Sequence, residues 1–203
     1  MAKGFDTKEK AKIRKSLLEE GREAFVQNGL RKTNVASLTS AVGIAQGSFY
    51  LFFPSKEGLY FEVIEEEEAK IKKTLQDEFL DQPLTREVFK TFLIRGLTLI
   101  SDNSIIQQLL QGDDFLRLTK KLSSEKLQQH AENDVFALTP FLEKWGKQGN
   151  LNEVRPEILT AILRSFFLMT LHRKEIGTDV FDVTIERLAE LYADGLVKEE
   201  TND

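Results

Sequence analysis

Along this 203-residue chain apolar residues recur at steps of three and four with few alternating runs, the periodicity of helices that each bury one face. Ile13, Leu17, Gly21, Ala24 and Phe25 mark an inward stripe over Thr7 to Gln27, closed by Asn28-Gly29. Gly21 inside that stripe costs about 1 kcal/mol against alanine, so close packing on the next helices is expected there. Val35, Leu38, Ala41 and Val42 form one apolar face after Asn34, a good N-cap, and Gly43 suits the left-handed residue that ends a helix. Ile44 plugs the turn, and Ala45 to Leu51 forms a second short helix led by Gln46, Gly47 and Ser48. Two short helices across a glycine turn are the helix-turn-helix unit, whose second helix presents its N-terminal residues to bases in the DNA major groove.

Pro54 breaks the pattern and Ser55 caps a helix running to about Leu80. Leu59, Tyr60, Val63 and Ile64 seal a small head, while Ile71, Leu75 and Phe79 continue into a larger body. Further helices are predicted over Thr85 to Ile100, from Ser104 as cap through Leu110, in a short segment from Gly112, and over Ser124 to Lys147 with a kink at Pro140. Pro156 opens a helix through His172 that is apolar on most sides, and Asp179 caps the last one, with Val183, Leu188, Leu191, Tyr192 and Leu196 apolar. A helix apolar all round is buried all round, so these last two helices are expected to form a homodimer interface.

The run GSFYLFFPSKEGL, with Tyr50, Phe53, Pro54, Ser55 and Lys56 in fixed order, extends the motif. With Thr33, Val42-Gly43-Ile44, Gly47-Ser48 and Leu59 it resembles the N-terminal domain of the TetR (tetracycline-repressor) family of bacterial transcription regulators. The resemblance is close over about residues 10 to 64. It implies an all-α protein of about nine helices, with a DNA-binding domain over 1–54 (helix-turn-helix about 34–53) and an effector-binding, dimerising domain over 55–203. Carried onto matching positions, it puts Gln46, Gly47 and Ser48 on base edges and Tyr50, Lys56, Thr33 and Asn34 on phosphates. The implied partners are double-stranded DNA carrying a palindromic operator, a second copy of the chain, and a small-molecule effector that releases a repressor. Phe52 stands where the family usually has Tyr or His, which removes one phosphate hydrogen bond.

Charge supports this division. The net charge is −5, yet Met1 to Tyr60 carries ten Lys/Arg against six Asp/Glu and the remainder is −9. A basic head on an acidic body suits a DNA-binding module. Lys3, Lys8, Lys10, Lys12, Arg14 and Lys15 crowd the start of the first helix, as a solvated face or as a phosphate-binding arm. The absence of cysteine removes disulfides and thiolate metal sites and fits a reducing cytoplasm. The basic N-terminus has no signal-peptide core, and no apolar run approaches the roughly 20 residues that span a bilayer. A cytoplasmic protein with no membrane association is expected.

Candidate chemistry is sparse. His130 and Asp134 share a helical face at i,i+4, but with no second histidine and no cysteine nearby they read as surface or pocket polar residues. Glu65 to Glu68 fan around a helix axis as a solvated surface. Nucleophile elbow, Walker loop and dinucleotide fingerprint are all missing, so neither catalysis, a cofactor nor a metal is expected. The resemblance implies an effector pocket among the body's aromatics, with Phe92, Phe115, Trp145 and Phe166 as lining and a mostly hydrophobic ligand. The competing reading is a helical small-molecule-binding protein or enzyme whose N-terminal corner is only structural. A third is a regulator of the same fold that responds to a protein partner.

Overall fold

A computed structural model describes residues 5–111, 114–148 and 150–198. Among the described residues the elements are helical, apart from one isolated antiparallel bridge between Leu151 and Val197. The order is α1 (Thr7–Lys32), α2 (Val35–Val42), a 3-10 helix (Gln46–Leu51), α3 (Lys56–Phe79), α4 (Arg86–Asp102), α5 (Ser104–Gln111) and α6 (Asp114–Lys121). Then follow α7 (Ser124–Lys147), α8 (Pro156–Leu168), a 3-10 turn (Met169–His172), α9 (Arg173–Ile176) and α10 (Phe181–Leu196). The all-α expectation holds. There are more elements than about nine because the helix expected from Pro156 to His172 ends at Leu168 and gives way to two short pieces.

Packing divides the chain into two compact units. The first comprises Met1–Glu68 and Asn103–Ser123, and the second Ala69–Asp102 and Ser124–Asp203. In the first unit α2 and α5 both pack on α1, and α6 packs on α5. Leu17, Phe25, Leu30, Leu38, Phe49 and Leu59 are fully or almost fully buried there. The close packing at Gly21 is made with α3, beyond the two helices expected to receive it: a Cβ would stand 3.0 Å from Leu59 Cδ2, so the glycine sets how closely α1 meets α3.

In the second unit α10 packs on α4, α7 on α8, and α4 on α8. The core is aromatic, with Trp145 centred 4.9 Å from Phe141, 5.6 Å from Phe92 and 6.0 Å from Phe89. Ala189 and Ala193 are buried on α10, where small side chains let α4 approach closely. At Gly96 of α4 a Cβ would come within 2.9 Å of the Phe167 ring. Lys90 donates to Glu190 at 2.8 Å and ties α4 to α10. α7 runs through Pro140 as one helix.

Two expected caps differ, and one was not foreseen. Asn103, not Ser104, caps α5, because its Oδ1 accepts from the Ile105 and Ile106 N–H groups at 3.1 Å each. α10 begins after Val180 without a side-chain cap, so Asp179 does not cap it. α1 carries a capping box of Asp6 and Glu9 that the apolar stripe did not reveal. Asp113 and Gly112, expected at the start of the segment before Phe115, lie outside the described residues.

Candidate nucleic-acid interface

The first unit builds its exposed corner from local signals. Asn34 is extended, and its Oδ1 accepts the Ser37 N–H at 2.8 Å, the cap its side chain favours. α2 buries Leu38 and Thr39, while Ala41 is exposed, so Thr39 replaces Ala41 on the inner face. The Thr39 hydroxyl donates to the Val35 carbonyl at 2.9 Å, which makes burial of a threonine inexpensive. Gly43 adopts φ 77°, ψ 31°, and the Ile44 N–H returns to the Thr39 carbonyl at 2.9 Å. This is the left-handed stop that the sequence called for.

The second helix of the corner is a 3-10 helix over Gln46–Leu51. Six residues led by Gln-Gly-Ser have little α propensity, and short helices of this length readily take the tighter form. Phe49 is the anchor: it is buried, edge-on to Tyr50 at 5.4 Å and against Phe53 at 5.8 Å. With Phe49 inward, Gln46, Gly47 and Tyr50 are exposed and Ser48 is half-buried. Tyr50 is 59% exposed and Leu51 beside it is also exposed. This places Gln46, Gly47, Ser48 and Tyr50 together on one short element, with the exposed Asn34 at the start of the element before it.

Thr33 and Lys56 stand differently. Thr33 is 4% exposed, and its hydroxyl donates to the Gly29 carbonyl at 2.8 Å and to the Ala24 carbonyl at 3.2 Å. Its N–H also returns to the Gly29 carbonyl, at 3.3 Å. The side chain therefore holds the end of α1, where Gly29 turns out of helical geometry at φ 70°, ψ 170°. The Lys56 ammonium donates to the Thr33 carbonyl at 2.6 Å and reaches the Arg31 carbonyl at 3.5 Å. A cation over carbonyls at a helix C-terminus is electrostatically favoured. Half-buried Lys56 thus joins α3 to the α1–α2 junction.

The basic start of α1 is also divided. Arg14, though exposed, pairs with Glu62 and lies over the Phe53 ring at 5.1 Å, so it ties α1 to the corner. Lys8, Lys10, Lys12 and Lys15 are exposed, and Lys3 lies outside the described residues. Phe52, which cannot hydrogen-bond a phosphate, stacks instead against Phe5 at 6.0 Å. Ser55 is the expected cap of α3, accepting the Gly58 N–H at 3.0 Å. Glu67 in the Glu65–Glu68 run is a correction to the solvated reading: it is buried and receives Arg22 Nε at 2.8 Å.

Three of the four residues expected to line a pocket share the second unit. Phe92 and Trp145 are in direct ring contact, and Phe166 meets Tyr192 at 5.5 Å. Phe115 belongs to α6 of the first unit and is 40% exposed. The Trp145 Nε1–H is buried without a hydrogen-bond partner among the described residues. His130 lies in the described part of α7, whereas the side chain of Asp134 does not, and no group of three or more His, Cys, Asp or Glu gathers among the described residues. No described helix is long and apolar enough to cross a membrane.

Residues 17–63 match the family model for bacterial regulatory proteins of the tetR family. The chain is 32% identical over 82 residues to the uncharacterized HTH-type transcriptional regulator YdgC of Bacillus subtilis (strain 168), a match covering 40% of this chain and 42% of that protein. The chain thus spans less than half the length of that relative. Among solved structures it is similar to a TetR-family transcriptional regulator from Pectobacterium atrosepticum, with TM-score 0.74, 20% identity, and coverage of 96% of this chain and 99% of that one. It is also similar to SmeT, the repressor of the Stenotrophomonas maltophilia multidrug efflux pump SmeDEF, with TM-score 0.61, 20% identity, and coverage of 92% and 91%. SmeT has also been solved in complex with triclosan. Residues 17–63 thus match the N-terminal domain of the tetR family of bacterial regulatory proteins, and the chain shares its fold with the solved structures of such regulators.

Proposed function

We propose that the protein is a DNA-binding transcriptional regulator, a repressor that binds a palindromic operator as a homodimer and is released by a small, mostly hydrophobic effector. The observation that carries the reading is the exposed edge formed by Gln46, Gly47 and Tyr50 on an element whose inner side is anchored by buried Phe49. Gln46 reads a base, most naturally adenine, through paired hydrogen bonds, with Gly47 and Ser48 beside it. Tyr50 and Asn34 hold phosphates directly, and Lys56 does so with the donors left over from the Thr33 and Arg31 carbonyls. Thr33 supports that set through the loop it fixes.

The domain over 1–54 supplies the DNA contacts together with Lys56 at the start of α3, and the domain over 55–203 senses the effector and dimerises. Exposed Val183 and Leu191 on α10, with Ile158 and Leu168 on α8, favour burial of these helices against a second copy. A two-fold dimer sets its recognition elements in successive major grooves. The effector lowers operator affinity by its differential binding to two arrangements of the heads. Phe92, Trp145 and Phe166 are the aromatic walls proposed for it. A small hydrophobic ligand on SmeT supports this choice of effector class. The protein acts in the cytoplasm and uses no cofactor or catalytic residue.

Selection of bound sequences from random duplex DNA tests the reading. Enrichment of a palindrome, with affinity falling steeply as salt rises, is expected. Recovery of unenriched DNA, or no retention at all, would leave the helix-turn-helix a structural corner.

A further inference from the structure

The chain leaves the first compact unit after Glu68 and returns to it at Asn103. One hydrogen bond closes these two crossings, because Asn103 Nδ2 donates to Glu67 Oε2 at 2.7 Å. Glu67 is 8% exposed, and its other oxygen receives Arg22 Nε of α1 at 2.8 Å. Arg22 also pairs with Glu66. Through Oδ1, the same Asn103 side chain caps α5. Four residues along α1 from Arg22, Val26 offers its carbonyl to Gln108 Nε2 of α5, just before the Gly29 bend. From there the contacts continue without a gap. Thr33 bonds the Gly29 carbonyl, and Lys56 bonds Thr33 beside the N-terminus of α2.

We propose that Arg22, Glu67 and Asn103 form a latch that sets operator affinity without touching DNA, by fixing α5 on the helix that carries the helix-turn-helix. The inference rests on the DNA-binding reading above. Breaking the Asn103–Glu67 bond leaves each group another partner. Glu67 keeps Arg22, and Asn103 keeps its capping role through the other atom of its amide. A bond between two points of chain crossing is one that a change elsewhere in the chain can bias.

An exchange of the two side chains tests it. Asn103→Asp retains the cap oxygen but sets a carboxylate against Glu67, and adding Glu67→Gln restores a donor–acceptor pair with its direction reversed. Ser104→Asp, at an exposed neighbouring position, controls for the added charge. Each protein is titrated onto the selected duplex over a range of salt, with its melting temperature measured. Wild-type binding is established first, because its absence ends the DNA-binding reading itself and takes the latch with it. Given wild-type binding, N103D is expected to lose about tenfold in affinity with an unchanged salt slope. The N103D/E67Q pair should return to within about threefold of wild type, where S104D also stays. An N103D variant that binds like S104D overturns the latch. So does a folded double variant that remains as weak as N103D.

Discussion

The ammonium of Lys56 stands 2.6 Å from the carbonyl oxygen of Thr33, and this hydrogen bond joins the start of α3 to the loop before α2. Lys56 therefore serves both the fold and the phosphate grip proposed for it, whereas exposed Tyr50 gives the fold only its edge-on ring contact with Phe49. Lys56→Ala is expected to lower the salt slope of DNA binding by about one unit and stability by about 1–3 kcal/mol. Tyr50→Ala should lower the slope equally and change stability by no more than about 0.5 kcal/mol. Salt titrations and denaturant unfolding without DNA separate the two effects.

Thr33 gives the opposite contrast. Its buried hydroxyl bonds carbonyls of α1, so Thr33→Val should cost about 1 kcal/mol of stability and leave the number of phosphate contacts unchanged. A reduced salt slope in that variant would return Thr33 to the direct contacts.

Tyr60 is fully buried edge-on to Phe25 at 4.7 Å, and its hydroxyl has no hydrogen-bond partner among the described residues. Burial, with the charge of Asp114 second, pushes its phenol well above the ordinary tyrosine range, so it stays protonated. Because removing a buried unsatisfied group relieves a desolvation cost of about 1–3 kcal/mol, Tyr60→Phe is expected to be neutral or stabilising. A clear fall in melting temperature would reveal a partner for the hydroxyl.

Val183 is 70% exposed on α10, in the face proposed to meet a second copy. Val183→Glu with Leu191→Glu should leave helix content and the α4–α10 packing intact while converting a dimer to monomers. Sedimentation velocity on both proteins reads this directly. Unchanged assembly would move the interface elsewhere.

Local chemistry made the corner legible before the fold was seen. Asn34, Gly43 and Ser55 each perform the capping or turning role that their residue type dictates within a few positions. The Lys56 role was hidden because it depends on a carbonyl at the end of another helix, while Thr33 bonds a carbonyl four residues back and shows its role only once α1 is seen to end there. Glu67 was hidden for a related reason: a carboxylate in a run of four looks solvated until Arg22 and Asn103 arrive from helices far away in sequence. In the second unit the periodicity gave the helices, but Phe92, Trp145 and Phe166 sit in ring contacts that serve a core and a pocket wall equally well. The 3-10 form of Gln46–Leu51 escaped the pattern because its apolar residues fit either helical period over so short a stretch.

The base contact proposed for Gln46 can be read most directly by repeating the selection from random duplex DNA with Gln46→Ala. The expected result is a palindrome that keeps its spacing but loses preference at one symmetric position in each half-site, with affinity for the original site reduced by about 1–3 kcal/mol. An unchanged motif at full affinity would contradict the account, since Gln46 would then read no base.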